Sequence, residues 1–222
     1  MALLWDVRWT LLQATATTVA LFLLSSALAL VLSLLIGLAR LSSRGWLSKA
    51  ALVFGETFRG VSLVVQLFWI FFVLPLLGIT LSATTAAVIA LGVCFGAYGS
   101  EIVRTSILAI PRGQRDAAAA LGLSKLQALV LVELPQALLI MLPSLGNLLV
   151  LILKSTSVTA LITVPELAFT ANALNSNFGA NLAVFGYVLA AYYVVARIIL
   201  FVTRRLETRL ATARGFSTRA AA

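Results

Sequence analysis

The strongest constraint in this sequence is a set of apolar stretches, each about as long as a lipid bilayer is thick. Residues 15–39 and 60–79 carry no charged side chain, and three further stretches, 83–105, 133–154 and 181–203, carry only one or two each. An α-helix needs roughly 20 apolar residues to cross the hydrocarbon core, so each stretch is long enough for one span. None alternates apolar and polar residues with a period of two, which argues against a closed β-barrel and leaves helices to satisfy the backbone in lipid. Composition agrees, with 62% hydrophobic and 10% charged residues in a chain of 222 and a mean hydropathy of +1.10. The expected fold is all-α: a polytopic membrane protein, residues 1–222 forming one transmembrane domain of five helices, with a long loop over 106–132.

Lys and Arg collect on the cytoplasmic flanks of spans, which lets the charges orient the chain. Arg40, Arg44, Lys49 and Arg59 follow the first span; Arg104, Arg112, Arg115 and Lys125 follow the third. Arg197, Arg204, Arg205, Arg209, Arg214 and Arg219 lie at or beyond the end of the fifth, while Glu166 is the only charge in 155–180. The pattern predicts an outside N-terminus, a cytoplasmic C-terminus and a cytoplasmic 106–132 loop. The net charge of +9 therefore reports orientation rather than a nucleic-acid partner. Ala27-Leu28-Ala29 resembles a signal-peptide cleavage site, but Asp6 and Arg8 cancel ahead of the run and it continues to Ala39, so a retained helix is expected. Cys94, alone in an apolar run, supports neither a disulfide nor a cysteine metal site. An odd number of spans without an internal repeat argues against the matched halves of a complete secondary transporter, so a second copy or a homologue is expected to supply the other wall of any pathway.

The loop reads Arg112-Gly113-Gln114-Arg115-Asp116-Ala117-Ala118-Ala119-Ala120-Leu121-Gly122-Leu123-Ser124-Lys125, then an apolar run to Leu134-Pro135. An alanine run with an acid at its start is a strong helix former, and Gly122 is placed to end it, so two short helices joined near Gly122 are expected. Asp116-Ala117-Ala118, three residues, Gly122, nine residues and Val132-Glu133-Leu134-Pro135 resemble the cytoplasmic signature E-A-A-x3-G-x9-I-x-L-P of importer permeases of the ATP-binding-cassette class. Asp stands for Glu and Val for Ile. The resemblance implies that Asp116, Ala117, Ala118, Gly122, Leu134 and Pro135 form the ATPase-coupling site, docking into a groove of a cytoplasmic ATPase dimer. Small side chains let the backbones approach there, and the acid can pair across the interface.

Further stretches are similar to the polar amino acid uptake branch of these permeases, the histidine, glutamine and arginine type. They are Glu56-Thr57-Phe58-Arg59-Gly60 with Leu63-Val64-Val65-Gln66-Leu67-Phe68, Ala97-Tyr98-Gly99-Ser100-Glu101-Ile102-Val103-Arg104, Leu134-Pro135-Gln136-Ala137 and Leu153-Lys154-Ser155-Thr156-Ser157. The branch usually has Thr-Pro where this chain has Val61-Ser62, so span two either straightens here or turns without the proline. The resemblance implies a bacterial inner-membrane permease that moves a polar amino acid, or an amino-acid-like solute such as an ectoine, into the cytoplasm. It also implies an extracytoplasmic substrate-binding protein, a second permease and surrounding lipid as partners.

Polar residues at membrane depth tend to face partner helices or a water-filled path. Gln66, Asn147, Lys154 and Glu101 are the substrate-path candidates. Gln66 and Asn147 equally fit hydrogen bonding between helices, Lys154 fits snorkelling, and Glu101 fits an i, i+3 ion pair with Arg104, as Glu56 does with Arg59. Pro135 is tolerated near a helix start, and Pro143 is expected to kink the fourth span. Asn172, Asn175, Asn177 and Asn181 crowd the outer connection, as a contact for a substrate-delivering protein or as a solvated turn. The chain has no phosphate-cradling G-x4-G-K-[ST] and no histidine, so no cofactor is expected on it and ATP and Mg are expected on the partner ATPase. A stand-alone secondary transporter or exporter would leave the loop pattern unexplained, and a membrane-embedded enzyme lacks a set of catalytic groups.

Overall fold

The structure, a computed structural model, describes residues 7–178 and 181–213, with the side chains at 177, 178, 181 and 213 excepted. Asp6, Arg214 and Arg219, which entered the charge argument, lie outside the described residues, as do the side chains of Asn177 and Asn181.

Four uninterrupted helical stretches are long and apolar enough to cross a membrane: Arg8–Arg40, Ala83–Leu108, Lys125–Ile162 and Leu182–Thr212. A broken pair, Gly45–Gly60 and Leu63–Leu77, bent by 101°, is together long and apolar enough to count as a fifth span. In chain order the α-helices are α1 (Arg8–Arg40), α2 (Gly45–Gly60), α3 (Leu63–Phe68), α4 (Ala83–Leu108), α5 (Arg112–Ala120), α6 (Lys125–Ala128), α7 (Leu134–Ser155), α8 (Leu167–Phe178) and α9 (Asn181–Ala213).

Helices α1 and α4 form the spine, running parallel in a register set by glycine. A Cβ on Gly92 would sit 2.4 Å from Leu28 Cδ2, and one on Gly96 would sit 2.7 Å from Leu32 Cβ. Further along, a Cβ on Gly37 would lie 2.8 Å from Val103 Cβ and 2.9 Å from the Ser100 carbonyl oxygen. In lipid, apolar side chains gain little from meeting one another, so close backbone approach through small residues is what brings helices together. The Gly92-x3-Gly96 spacing is such a surface.

Span two is expected from the sequence as one run over 60–79, but the chain turns at Val61-Ser62 in extended conformation. The turn forms without proline. Gln66 Nε2 donates to the Phe58 carbonyl at 2.8 Å and to the Val61 carbonyl at 2.9 Å, occupying acceptors that the interrupted helix leaves open. Two π-helical turns, Trp69–Val73 and Leu129–Glu133, each end two residues before a proline, Pro75 and Pro135. A proline ring collides with the carbonyl of residue i−4, and the wider turn relieves that collision. Pro143 leaves the α-helical assignment of Leu134–Ser155 unbroken.

Two apolar clusters hold the bundle. The larger joins Leu21, Phe22 and Ala29 of α1 to Leu91 and Phe95 of α4, Leu148 and Ile152 of α7 and Ile199 of α9. The smaller, at the end carrying α5 and α6, packs Val103, Ile107 and Ile110 against Ala137 and Met141, so α4 and α7 meet tightly where the loop leaves and returns.

Candidate functional site

Helix α5 begins after Pro111 and ends in a Schellman motif: Gly122 N donates to the Ala119 carbonyl at 2.9 Å and Leu123 N to the Ala118 carbonyl at 3.1 Å. Gly122 has φ +77°, the left-handed conformation that glycine adopts without steric cost. Ser124 restarts the chain as α6 through a capping box, with Gln127 N donating to Ser124 Oγ and Ser124 N donating to Gln127 Oε1 at 2.9 Å. The result is two short helices joined at Gly122. Asp116 and Ala117 are exposed, as is Gly122, whereas Ala118 packs inward. Leu121 is 80% and Leu126 69% exposed. Small, apolar and acidic groups thus share the outer surface of the loop. Leu134 and Pro135 lie partly buried in the first turn of α7.

Beneath the loop, Arg115 donates to the Ile107 carbonyl at 3.1 Å and approaches Glu133 Oε2 at 3.1 Å. Glu133 is the last residue of the second π-turn and is buried.

Glu101 is the centre of a charged cluster at the same end of the bundle. It pairs with Arg40 from α1, with Arg59 from the end of α2 at 3.5 Å, and with Arg104, whose Nε donates to Oε1 at 3.1 Å. Arg59 also pairs with Glu56. The i, i+3 pairs expected from the sequence are present, and one carboxylate ties three helices together.

Arg59 and Glu101 also line an open cleft of about 380 Å³ with Tyr98, Thr105, Ser144 and Asn147. Of the four substrate-path candidates, the structure brings Glu101 and Asn147 together in this cleft. Gln66 lies apart from it at the break in span two, buried, with its amide hydrogens engaged by the backbone. Lys154 is exposed near the opposite end of α7.

Sequence reasoning missed Glu166. It is fully buried, caps α8 by accepting from Phe169 N at 2.8 Å, and accepts from the Tyr192 hydroxyl at 3.0 Å. Tyr192 lies 3.2 Å from Thr156 Oγ1, and Leu167 N donates to Thr18 Oγ1 at 3.1 Å, so α1, α8 and α9 meet around one acid. Burial pushes the Glu166 carboxyl above its ordinary value, against the opposing pull of the Ala168 and Phe169 N–H groups and the Tyr192 hydroxyl. The available signal was its place as the only charge of an outer connection, directly ahead of a helix. Arg40, read as flanking charge, likewise proved to be paired, and Arg59 reaches Glu101 in addition to its expected partner Glu56.

Comparison with known proteins places this architecture. The family described as binding-protein-dependent transport system inner membrane component matches residues 29–212. A probable amino-acid ABC transporter permease protein, y4tF, of Sinorhizobium fredii (strain NBRC 101917 / NGR234) is 40% identical over 83% of this chain and 80% of its own length. The glutamine transport system permease protein GlnP of Escherichia coli (strain K12) is 36% identical over 93% of this chain and 97% of its own. The crystal structure of an amino acid ABC transporter with histidines superposes with a TM-score of 0.85 at 29% identity, covering 92% of this chain and 95% of that one. The loop register, the five-crossing helical fold and these similarities converge, and the chain belongs to the binding-protein-dependent transport system inner membrane component family as an amino acid ABC importer permease.

Proposed function

We propose that this permease carries a zwitterionic polar amino acid through a path walled by α4 and α7, driven by an ATPase that engages the loop through Asp116, Ala117 and Gly122, with Ala118 packed beneath them against the bundle. The observation that supports this most is the loop itself. Its register is complete, and its Schellman turn leaves the acid, an alanine and the glycine on the outer surface with Leu121 beside them. On this reading the loop, the Glu101 cluster and the C-terminus are cytoplasmic, and the N-terminus and Glu166 are at the outer end. ATP and Mg bind the partner ATPase dimer, a second permease completes the path, and an extracytoplasmic binding protein delivers the substrate in the bacterial inner membrane.

The cleft supports the substrate class. Arg59 and Glu101, paired with each other at 3.5 Å, put both signs of charge on a wall that also carries Ile102, Leu148 and Leu151, and Ser144, Thr105 and Asn147 add neutral hydrogen-bonding groups, which suits a molecule of no net charge better than a strongly cationic one. Glutamine, named for the Escherichia coli relative, is one such molecule.

A photo-crosslinking residue at Leu121 or Leu126 is expected to capture the ATPase subunit in membranes, and the same probe at Leu189, 75% exposed on α9, is not. Capture from Leu189 alone would contradict the docking. Uptake that survives deletion of the ATPase but collapses with the proton gradient would replace the importer with a secondary transporter. The substrate itself is identified by the ligand that copurifies with the cognate binding protein; a sugar or a metal ion there would refute the amino acid assignment.

A further inference from the structure

We infer that Arg115 and Glu133 form the link that carries movement of the loop into both helices walling the cleft. The inference rests on the ATPase-coupling reading of the loop. Arg115 precedes Asp116 on α5, so it moves with the docking surface. Its guanidinium reaches two separate elements: the Ile107 carbonyl in the last turn of α4, at 3.1 Å, and Glu133 Oε2 at the foot of α7, at 3.1 Å. Those helices carry the cleft residues, Tyr98, Glu101 and Thr105 on α4 and Ser144 and Asn147 on α7.

Three features separate a transmitting link from a surface ion pair. The Glu133 side chain is only 11% exposed, so the pair is held at the buried root of the loop rather than on its rim. Glu133 closes a π-turn, a wider and more weakly bonded segment than an α-helix, which lets α7 shift without losing its helical hydrogen bonds. The apolar contact of Val103 and Ile107 with Ala137 and Met141 then makes a shift of one helix repack it against the other in discrete steps, because packed cores are bistable rather than continuously deformable. A second polar contact, Gln136 Nε2 to Gln114 Oε1 at 3.5 Å, joins α5 to α7 alone. Arg115 and Glu133 are positioning residues; neither lines the cleft.

The test uses the whole importer in nanodiscs, with spin labels at Thr105→Cys and Asn147→Cys in a Cys94→Ala background, and compares the nucleotide-free complex with the complex trapped by Mg-ATP and vanadate. The trapped distance is expected to differ from the nucleotide-free one. In Glu133→Gln and Arg115→Gln, the fraction of complexes reaching the trapped distance is expected to fall about fivefold or more, a typical coupling factor, while the ATPase still copurifies and hydrolyses ATP. Arg115→Lys is expected to retain most of the shift, and the double Gln variant to be no worse than the worse single, as for two residues acting as one unit. A full shift in both single variants, or a double variant whose loss is the product of the two singles, would overturn the inference. Absence of any nucleotide-driven shift in the labelled background would instead refute the coupling reading beneath it.

Discussion

One buried acid, Glu133, lies immediately before α7 and another, Glu166, lies beyond it at the start of α8, and the two are held differently. Glu133, at the loop end, faces the side chain of Arg115, which is itself 36% exposed. Glu166, at the opposite end, has no exposed surface and is satisfied by a backbone N–H and the Tyr192 hydroxyl. An ion pair with access to water is worth little and can be remade at little cost, whereas a buried hydrogen-bonded network is costly to open. The difference makes the Glu166 end an anchor and the Glu133 end an adjustable joint, the arrangement required of a helix moved from one end.

The contrast is broken most directly at the anchor. Glu166→Ala leaves the Tyr192 hydroxyl and the Phe169 N–H without their acceptor and is expected to cost about 3 kcal/mol, read as lost thermal stability of the purified permease. Glu166→Gln keeps an acceptor for Phe169 and can donate to Tyr192, so it is expected to recover most of that loss; an equal loss would point to a need for charge rather than hydrogen bonding. Next is the α1–α4 seam. Gly37→Ala drives a methyl against Val103 and the Ser100 backbone oxygen, for an expected loss of about 2 kcal/mol by the same measurement. At the break in span two, Gln66→Leu strips hydrogen bonds from two carbonyls and is expected to cost about 1.5 kcal/mol, with faster proteolysis near Val61 as a local readout. Smallest is Glu133→Gln, about 0.5 kcal/mol after allowance for the exposure of Arg115. A stability loss at Glu133 as large as that of Glu166→Ala would erase the distinction between anchor and joint.

The sequence exposed the parts of this molecule whose physics is local or one-dimensional. Apolar length located the crossings. Alanine propensity and the glycine stop gave the two helices at 112–128, and the fixed spacing from Asp116 to Pro135 supplied the family resemblance. What the sequence hid depends on which helices meet. Nothing near Glu101 in the chain announces Arg40, because their pairing follows from the packing of α1 on α4. Gln66 fitted a lining residue and an interhelical hydrogen-bonder equally well, and only the bend at Val61-Ser62 sets the Phe58 and Val61 carbonyls beside it. Glu166 entered only as the single charge of the 155–180 connection, and the convergence of α1, α8 and α9 that buries it is not written in its local sequence. The Gly92-x3-Gly96 surface was readable in principle, since its spacing alone marks a face for close helix approach.

On the proposed reading, the loop whose two short helices meet at Gly122 receives the force of ATP hydrolysis. Gly122→Val puts a β-branched side chain on a backbone held at φ +77°, where L-residues pay about 1–2 kcal/mol, and it must displace the turn that separates the two short helices. The decisive measurement is substrate uptake per ATP hydrolysed by the full importer in proteoliposomes, with the amount of inserted permease held equal. Uptake per ATP is expected to collapse in the variant while insertion is unchanged. Uptake per ATP equal to that of the native chain would contradict it.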